Sequence, residues 1–326
     1  MEFVTKVDIP PSDLSISHRH KILMLGSCFI ENVGKILIDN KFDSMLNPFG
    51  VLYNPSSIAE ALSVLSGNKT FTKEDIFNSR GLYHSFHFHS SFSDTDESTF
   101  LRRINNQVEQ ARIVLQQTDI LFITFGTAYV FHSKEKDMIV GNCHKLPASE
   151  FDRYRLPTDH IVTEWHELIE SLREKNPSLK ILFTVSPIRH FKDGAHVNQL
   201  SKSTLLLAIE RLMQQNKDVY YFPSYEIVLD ELRDYRFYSE DMVHPSTTAI
   251  KYIWERFQQA FMEKETLATQ EEWKKIALAI NHRPLNESGS EYKSFLRQTL
   301  LKLKTFNDKY PYICCENEIS DLESRL

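Results

Sequence analysis

The chain has 326 residues, of which 41% are hydrophobic and 25% are charged, as in an ordinary soluble globular protein. Its formal net charge of −6 at pH 7 argues against nucleic-acid binding, which needs a basic face, and no run approaches the roughly 18 apolar residues of a membrane span. The N-terminus lacks a signal-peptide pattern, and the four cysteines have neither zinc-site nor disulfide-framework spacing, so the sequence predicts a cytoplasmic protein.

Four short apolar runs predict buried strands, at residues 21–25, 120–125, 180–185 and 219–222. Apolar stripes at helical spacing lie between and after them, and the clearest of these stripes spans residues 250–261. Strands that alternate with helices favour parallel pairing with crossover connections. The sequence therefore predicts an α/β fold with three layers, α/β/α, around a parallel central sheet.

Two segments break this alternation. Tyr, Phe, His and Ser dominate residues 76–95, which predicts an irregular or hairpin-like insertion. After residue 263 the pattern becomes helical and charged. We therefore expect one domain over residues 1–262 and a C-terminal helical extension over 263–326, packed on the core or on a partner. The sequence leaves the oligomeric state open.

Residues that directly follow the strands attract attention, because the crevice of a parallel α/β sheet lies beyond the carboxyl ends of its strands. Polar or Gly/Pro-rich residues occupy all four places: Gly26-Ser27, Gly126-Thr127, Ser186 to His190, and Pro223 to Glu226. This agreement supports the predicted fold and indicates where a site would lie.

Ser27 is the first candidate for chemistry. A serine at the end of a buried strand and the start of a helix can act as a nucleophile if a base activates it, and its own N–H can help to bind an oxyanion. The alternative is that Ser27 only caps the helix. Cys28 is a rival nucleophile, but we expect its side chain to point away into the core, as small buried cysteines usually do.

His244 and Asp241 offer the base and the acid. His244 precedes Pro245 and Ser246, and Ser246 is a good N-cap for the strong helix that follows. Asp241 lies three residues earlier, so a turn can fold its carboxylate back to orient the imidazole and stabilise the imidazolium. The alternative is an Asx-type turn that carries an exposed histidine.

Gly26-Ser27-Cys28-Phe29 after the first strand resembles the signature of the GSCFA domain family, within the SGNH or GDSL-like hydrolase superfamily. The resemblance spans residues 15–262 and is strong in the segments GSCF, NPFGVLYNP, FGTAYVF, GNCHK and DMVHPS. It implies the flavodoxin-like topology of these hydrolases. It also implies that Ser27 is the nucleophile, Asp241 the orienting acid and His244 the base, and that Gly50 donates its backbone N–H to the oxyanion.

One departure from the superfamily concerns the oxyanion. The resemblance implies Gly-x-Asn-Asp after the third conserved segment, with the asparagine as a donor, but this chain has Gly126-Thr127-Ala128-Tyr129. Either Thr127 supplies a weaker donor or Asn142 arrives from elsewhere. Losing one such donor typically costs about 2.7–4 kcal/mol of transition-state stabilisation, so an active enzyme should replace it.

Other polar residues are candidates for substrate binding. Arg189 and His190 lie on the expected rim, where an arginine can bind a carboxylate or phosphate, and the alternative is an exposed surface pair. His144, followed by Lys145, has the same two interpretations. Gly126, directly after the predicted strand at 120–125, is a further candidate for substrate binding. His84, His87 and His89 have three interpretations: metal ligands, a wall that contacts substrate, or a packed aromatic hairpin. We predict no metal and no cofactor.

The leading hypothesis is a serine-dependent ester hydrolase of the SGNH type that acts on a small-molecule ester or an acylated glycan. A non-catalytic module that binds a carbohydrate or acylated ligand in the same crevice is the alternative from another class. A sugar O-acyltransferase is a third possibility, because it uses the same covalent intermediate with an alcohol as the acceptor.

Overall fold

A computed structural model of the chain describes residues 4–285 and 289–326. Its strands, in chain order, are β1 (Ile22–Gly26), β2 (Ser44–Leu46), β3 (Phe77–Ser79), β4 (Leu82–His84), β5 (Ile120–Phe125), β6 (Tyr129–Ser133), β7 (Met138–Ile139), β8 (Phe151–Arg155), β9 (Lys180–Val185) and β10 (Val219–Phe222). Its helices are α1 (Cys28–Asp39), α2 (Pro55–Ser66), α3 (Glu97–Gln116), α4 (Thr158–Lys175), α5 (Gly194–Gln215), α6 (Ser224–Glu226), α7 (Thr247–Phe261), α8 (Lys264–Ile280), α9 (Ser290–Lys309) and α10 (Glu316–Ser324).

Five parallel strands form the central sheet, in the spatial order β2-β1-β5-β9-β10. The strands β5, β9 and β10 have the predicted bounds, and β1 is displaced by one residue. Gly26 lies opposite Thr124, and Thr124 opposite Thr184, so β1, β5 and β9 end at one edge of the sheet. Residues that follow these strands therefore meet there.

Side chains alternate between the two faces of the sheet, as the pleat of a strand requires. Leu23 and Leu25 pack in a core with the helices α2 to α5, whereas Ile22 and Met24 pack in a second core with α1 and α7. The sheet is thus buried on both faces. This confirms the predicted three-layer α/β/α fold.

Three parts of this architecture lie outside the sequence-based prediction. The strand β2 is a three-residue edge strand of intermediate burial. The helix α5 crosses from β9 to β10, and its buried face includes polar residues. The strands β6, β7 and β8 form a separate antiparallel sheet in the order β7-β6-β8. The expected insertion at 76–95 contains the hairpin β3-β4.

The helices α8, α9 and α10 enclose a third hydrophobic cluster. They contact the α/β core near the end of α1, where Trp273 Nε1 donates to the carbonyl oxygen of Asp39 at 2.7 Å and Lys41 pairs with Glu318. Within residues 4–285 and 289–326, no helix is both long and apolar enough to cross a membrane.

Candidate active site

The turn from β1 into α1 depends on a glycine. Gly26 has φ of +148°, and a Cβ at this position would lie 2.9 Å from Thr124 Cβ and closer still to the Thr124 carbonyl oxygen. Its N–H donates to Asn47 Oδ1 at 2.9 Å, and its carbonyl accepts from Leu52 N. Only glycine fits this close approach of backbone to backbone. The turn fixes the directions of the next two side chains.

Ser27 caps α1 with its backbone alone. Its side chain makes no capping hydrogen bond, and its N–H donates to the Thr124 carbonyl at 3.2 Å. The residue is only 1% exposed, and among the described residues Ser27 Oγ has no hydrogen-bond partner. A Cβ added at Gly126 would lie 3.1 Å from Ser27 Cβ, so the Ser27 side chain occupies a narrow space beside Gly126. The structure does not bring Ser27 Oγ to His244.

Cys28 takes the place that we expected for Ser27. Its Sγ lies 3.8 Å from His244 Nε2, and the side chain is half-buried at the wall of a cavity. The expectation that Cys28 points into the core is therefore wrong, because the Gly26 turn directs Ser27 inward and Cys28 outward. Burial, followed by the nearby Glu31 carboxylate, raises the pKa of the Cys28 thiol.

The turn between Asp241 and His244 has the expected form. Asp241 Oδ1 accepts from the N–H groups of Val243 and His244, both at 2.9 Å, and Asp241 Oδ2 lies 2.5 Å from His244 Nδ1. These three hydrogen bonds lower the pKa of the Asp241 carboxyl to about 2. A carboxylate at Nδ1 favours the neutral tautomer with the proton on that nitrogen, which leaves Nε2 free to accept a proton. As predicted, Ser246 caps α7.

A cavity of about 430 Å³, here called the central cavity, lies at the carboxyl edge of the sheet. Its walls come from the strand ends, the β6-β8 sheet and the turn that carries His244. The lining side chains include Cys28, Tyr53, Asn54, Thr127, Tyr129, Phe131, Asn142, Cys143, Arg153, Arg189, His190, Lys192 and His244. Volume and composition suit a small organic ligand with an aromatic or apolar face and polar groups.

Lys202 lies under this edge of the sheet and is completely buried. Its ammonium group donates to the carbonyl oxygens of Gly126 at 2.6 Å and Ser186 at 2.7 Å, which follow β5 and β9. Burial lowers the pKa of Lys202 to about 7, and the charge of Lys202 in turn lowers the pKa of Cys28. The sequence-based prediction missed Lys202, although its spacing from Asn198, Leu205 and Ile209 places it on the buried face of α5.

The predicted oxyanion donors are separated in the structure. Thr127 and Asn142 line the central cavity with Cys28 and His244. Gly50 does not: its N–H donates to the Asn47 carbonyl at 2.7 Å, and a Cβ there would collide with His89. Asn54 caps α2 through its Oδ1, as its position before Pro55 indicates, and it also lines the cavity, which the sequence did not predict.

Two of the four predicted substrate-binding residues line the central cavity, and two do not. Arg189 and His190 line the central cavity, and burial lowers the pKa of His190 to about 4. Arg189 donates to the Met242 carbonyl and so ties the His244 turn to the end of β9. Gly126 lies beside Ser27, below the cavity. His144 is buried elsewhere, with Nε2 2.8 Å from the Ser85 carbonyl.

His84 and His87 of the insertion each pack against aromatic rings, whereas His89 Nδ1 accepts from Ser91 N at 3.2 Å. The ring of His84 lies 4.5 Å from the ring of His144, and Phe77 packs against both. His87 lies 3.4 Å from Glu60 and edge-on to Phe71. In the part of the chain that the structure describes, no three His, Cys, Asp or Glu side chains are placed to hold a metal ion together.

Comparisons with known proteins identify a family. The model of the GSCFA family matches residues 21–257, and that of the C-terminal domain of GSCFA domain proteins matches residues 273–326. No curated protein matches the chain.

Among solved structures, the chain is similar to a Clostridium thermocellum family 3 carbohydrate esterase, at 12% identity and a TM-score of 0.32 over 77% of this chain and 97% of that one. A carbohydrate esterase family 3 protein from Talaromyces cellulolyticus matches at 11% identity and a TM-score of 0.31, over 77% and 99%. An acetyl xylan esterase from Butyrivibrio proteoclasticus matches at 10% identity and a TM-score of 0.37, over 82% and 67%.

Proposed function

This chain belongs to the GSCFA family, and we propose that it is an acyl-ester hydrolase that works through a covalent acyl-enzyme. One observation carries the proposal: Asp241, His244 and a nucleophilic side chain at the start of α1 form a chain of contacts on the wall of the central cavity. A nucleophile next to a base that a third group orients is the arrangement of covalent acyl transfer.

The reaction follows from these positions. The side chain at the β1-α1 turn attacks the ester carbonyl while His244 Nε2 accepts its proton. Asp241 stabilises the imidazolium, which then returns the proton to the leaving alcohol. Water attacks the acyl-enzyme with the help of the same nitrogen and releases the acid. Ser27 was the predicted nucleophile, but the side chain that contacts His244 is that of its neighbour Cys28. The proposed roles of His244 and Asp241 are the same for a serine or a cysteine nucleophile.

The tetrahedral intermediate needs fixed hydrogen-bond donors. The N-terminus of α1 opens onto the cavity and offers backbone N–H groups and the positive end of the helix dipole. Thr127, Asn54 and Asn142 add polar side chains to the same walls. We assign the oxyanion to this group of donors. Gly50 is left out because its N–H is bonded to Asn47.

The lining of the central cavity supports a small ester as the substrate, and an acylated carbohydrate in particular. Tyr53, Tyr129 and Phe131 offer flat apolar surfaces for the face of a sugar ring or for an acyl chain. Arg153 stacks over the Tyr129 ring at 4.3 Å and donates to Asp193 at 2.8 Å, so it is held in place at the wall.

The same aromatic walls also favour a second candidate function, in which a sugar hydroxyl replaces water as the acceptor of the acyl group. Product analysis with and without an added sugar distinguishes this transfer from hydrolysis.

Binding without turnover is the remaining alternative. In that case ligand affinity would not change in His244→Asn.

Hydrolysis of p-nitrophenyl acetate and butyrate tests the proposal. Wild type should turn over both esters, and His244→Asn should lower kcat/KM by about 10²–10⁴-fold because the general base is lost. His160→Asn, an exposed histidine on α4, is the matched control and should behave as wild type. Equal turnover by wild type and His244→Asn would refute the proposed role of His244.

A further inference from the structure

The geometry points to Cys28 as the nucleophile of this reaction, so that the acyl-enzyme is a thioester on Cys28 rather than an ester on Ser27. The inference rests on the proposed acyl transfer and names the residue that carries the acyl group. It depends on where the Gly26 turn places the side chains of Ser27 and Cys28, on which of them reaches the central cavity, and on the positive charge of Lys202.

Ser27 cannot meet a substrate without a change in the turn. Ser27 Oγ is buried, the residue is 1% exposed, and Ser27 Cβ lies 3.1 Å from where a Cβ at Gly126 would stand. Its backbone is held by the hydrogen bond to Thr124 and by the strict geometry of Gly26. Ser27 is not among the residues that line the central cavity, whereas Cys28 and His244 both are.

Cys28 meets the requirements of a nucleophile in its observed position. It is the first residue of α1, so the positive end of the helix dipole lies beside its sulfur and favours the thiolate. Its Sγ faces His244 Nε2 at 3.8 Å, a distance within the range of a hydrogen bond to sulfur. The Asp241 carboxylate holds the far side of the imidazole, so that Nε2 can take the thiol proton.

Lys202 favours the same assignment. Its buried ammonium group is fixed by the carbonyls of Gly126 and Ser186, directly below the cavity. Its positive charge opposes the effects of burial and of Glu31, which disfavour a thiolate at Cys28. Among the residues that the structure describes, Lys202 is bonded to carbonyl oxygens alone. Burying an ammonium group in this way is costly, and stabilising the thiolate gives Lys202 a role. Lys202 is therefore a positioning residue that acts through Cys28.

The chemical step balances without a further reactant. The sulfur attacks the ester carbonyl, a C–S bond forms, the ester C–O bond breaks, and the thiol proton passes through His244 Nε2 to the departing alcohol. Water then gives a proton to Nε2 and attacks the thioester. The C–S bond breaks, the carboxylic acid leaves, and the sulfur regains its proton.

Alkylation of the full-length protein by iodoacetamide tests the inference independently of any substrate. The rate of Cys28 modification, followed by peptide mass spectrometry across pH 6–9, should fall in His244→Asn. Cys143 is a control within the same molecule, because it lines the same cavity and burial raises its pKa to about 11. Its slow modification should not change in His244→Asn. Equal rates at Cys28 in the two proteins would overturn the inference even if no ester is hydrolysed.

Turnover of p-nitrophenyl acetate supplies the second arm. Cys28→Ala should abolish turnover, whereas Ser27→Ala should retain it and Cys28→Ser should be strongly impaired. Acid-quenched wild type should carry an acyl group on Cys28 that neutral hydroxylamine removes. An acyl group on Ser27, or turnover lost in Ser27→Ala and kept in Cys28→Ala, would overturn the assignment while leaving the proposed hydrolysis intact. Absence of turnover in wild type, with His244-dependent alkylation of Cys28, would instead refute the hydrolysis and leave the nucleophile assigned.

Discussion

Replacing Lys202 by methionine should remove a pH dependence of stability that the wild-type protein carries. Burial lowers the pKa of this ammonium group from its ordinary 10.5 to about 7. A lysine with a lowered pKa binds fewer protons in the folded than in the unfolded state. The free energy of unfolding therefore rises with pH between the two values, and the stability is lost again as pH falls toward 7.

The size of the effect follows from the two pKa values. At pH 7 nearly every unfolded chain but only half of the folded molecules carry the proton, which costs about 4 kcal/mol relative to a neutral side chain. At pH 9 the cost is about 2 kcal/mol by the same relation. Wild type should thus gain about 2 kcal/mol over Lys202→Met between these pH values. The variant also leaves the carbonyls of Gly126 and Ser186 without their donor, which costs about 1–3 kcal/mol each at every pH.

Urea unfolding at pH 7, 8 and 9 measures the difference. Both proteins should carry Cys28→Ala, because Lys202 also lowers the pKa of Cys28; the remaining thiols and the tyrosines are common to both proteins, so their contributions cancel. Lys251→Met, an exposed lysine on α7, is the matched control and should change the free energy of unfolding equally at each pH. A constant difference between wild type and Lys202→Met across the three pH values would show that Lys202 is not a desolvated ammonium group.

Three further predictions concern the β1-α1 turn and the thiol. Ser27→Ala should leave the free energy of unfolding unchanged or raise it by about 1 kcal/mol, because it deletes a buried hydroxyl without a described partner; a clear loss in thermal melts would contradict this. Gly26→Ala should lower the free energy of unfolding by about 3 kcal/mol or more, because the added Cβ collides with Thr124 and the residue keeps a positive φ. Gly81→Ala is the control: its φ is +78° but no described atom lies within 4 Å of the added Cβ, so the loss should be only about 1–2 kcal/mol. Similar losses in the two variants would refute the steric argument. In Lys202→Met the pH at which Cys28 alkylation is half-maximal should move upward, because the positive charge that lowers the pKa of the Cys28 thiol is gone. A downward shift, or no shift, would show that Lys202 does not stabilise the Cys28 thiolate.

The parts of the fold that could be predicted are those in which burial is uniform. The strands β5 and β9 are buried almost throughout and are continuous apolar runs, so their bounds could be predicted from the sequence. The strand β2 is short and half-buried and has no such pattern. The helix α5 was missed because Asn198, Ser201 and Lys202 interrupt its buried face, and each of them is there for a hydrogen bond rather than for packing.

The candidate site likewise has one part that the sequence predicts and one part that depends on distant contacts. The pairing of Asp241 with His244 is local, because a three-residue turn forms it, and it could be anticipated. The orientation of Ser27 and Cys28 depends on the φ of Gly26, which Thr124 on a neighbouring strand imposes. That contact spans almost a hundred residues, so no local pattern indicates which of the two side chains faces the cavity. Gly50 is excluded from the oxyanion donors by a local contact instead, the hydrogen bond of its N–H to the Asn47 carbonyl.

The sulfur of Cys28 and the imidazole of His244 are 216 positions apart in the chain. On a ribosome that adds about 5–20 residues per second, roughly 10–40 s pass between the synthesis of the two residues. Throughout that interval the chain lacks His244, the base that the proposal assigns to the thiol. If Cys28 is the nucleophile, its activation by His244 requires segments from both ends of the α/β core to be folded together, whereas in a nascent or truncated chain Cys28 reacts only as an ordinary exposed thiol.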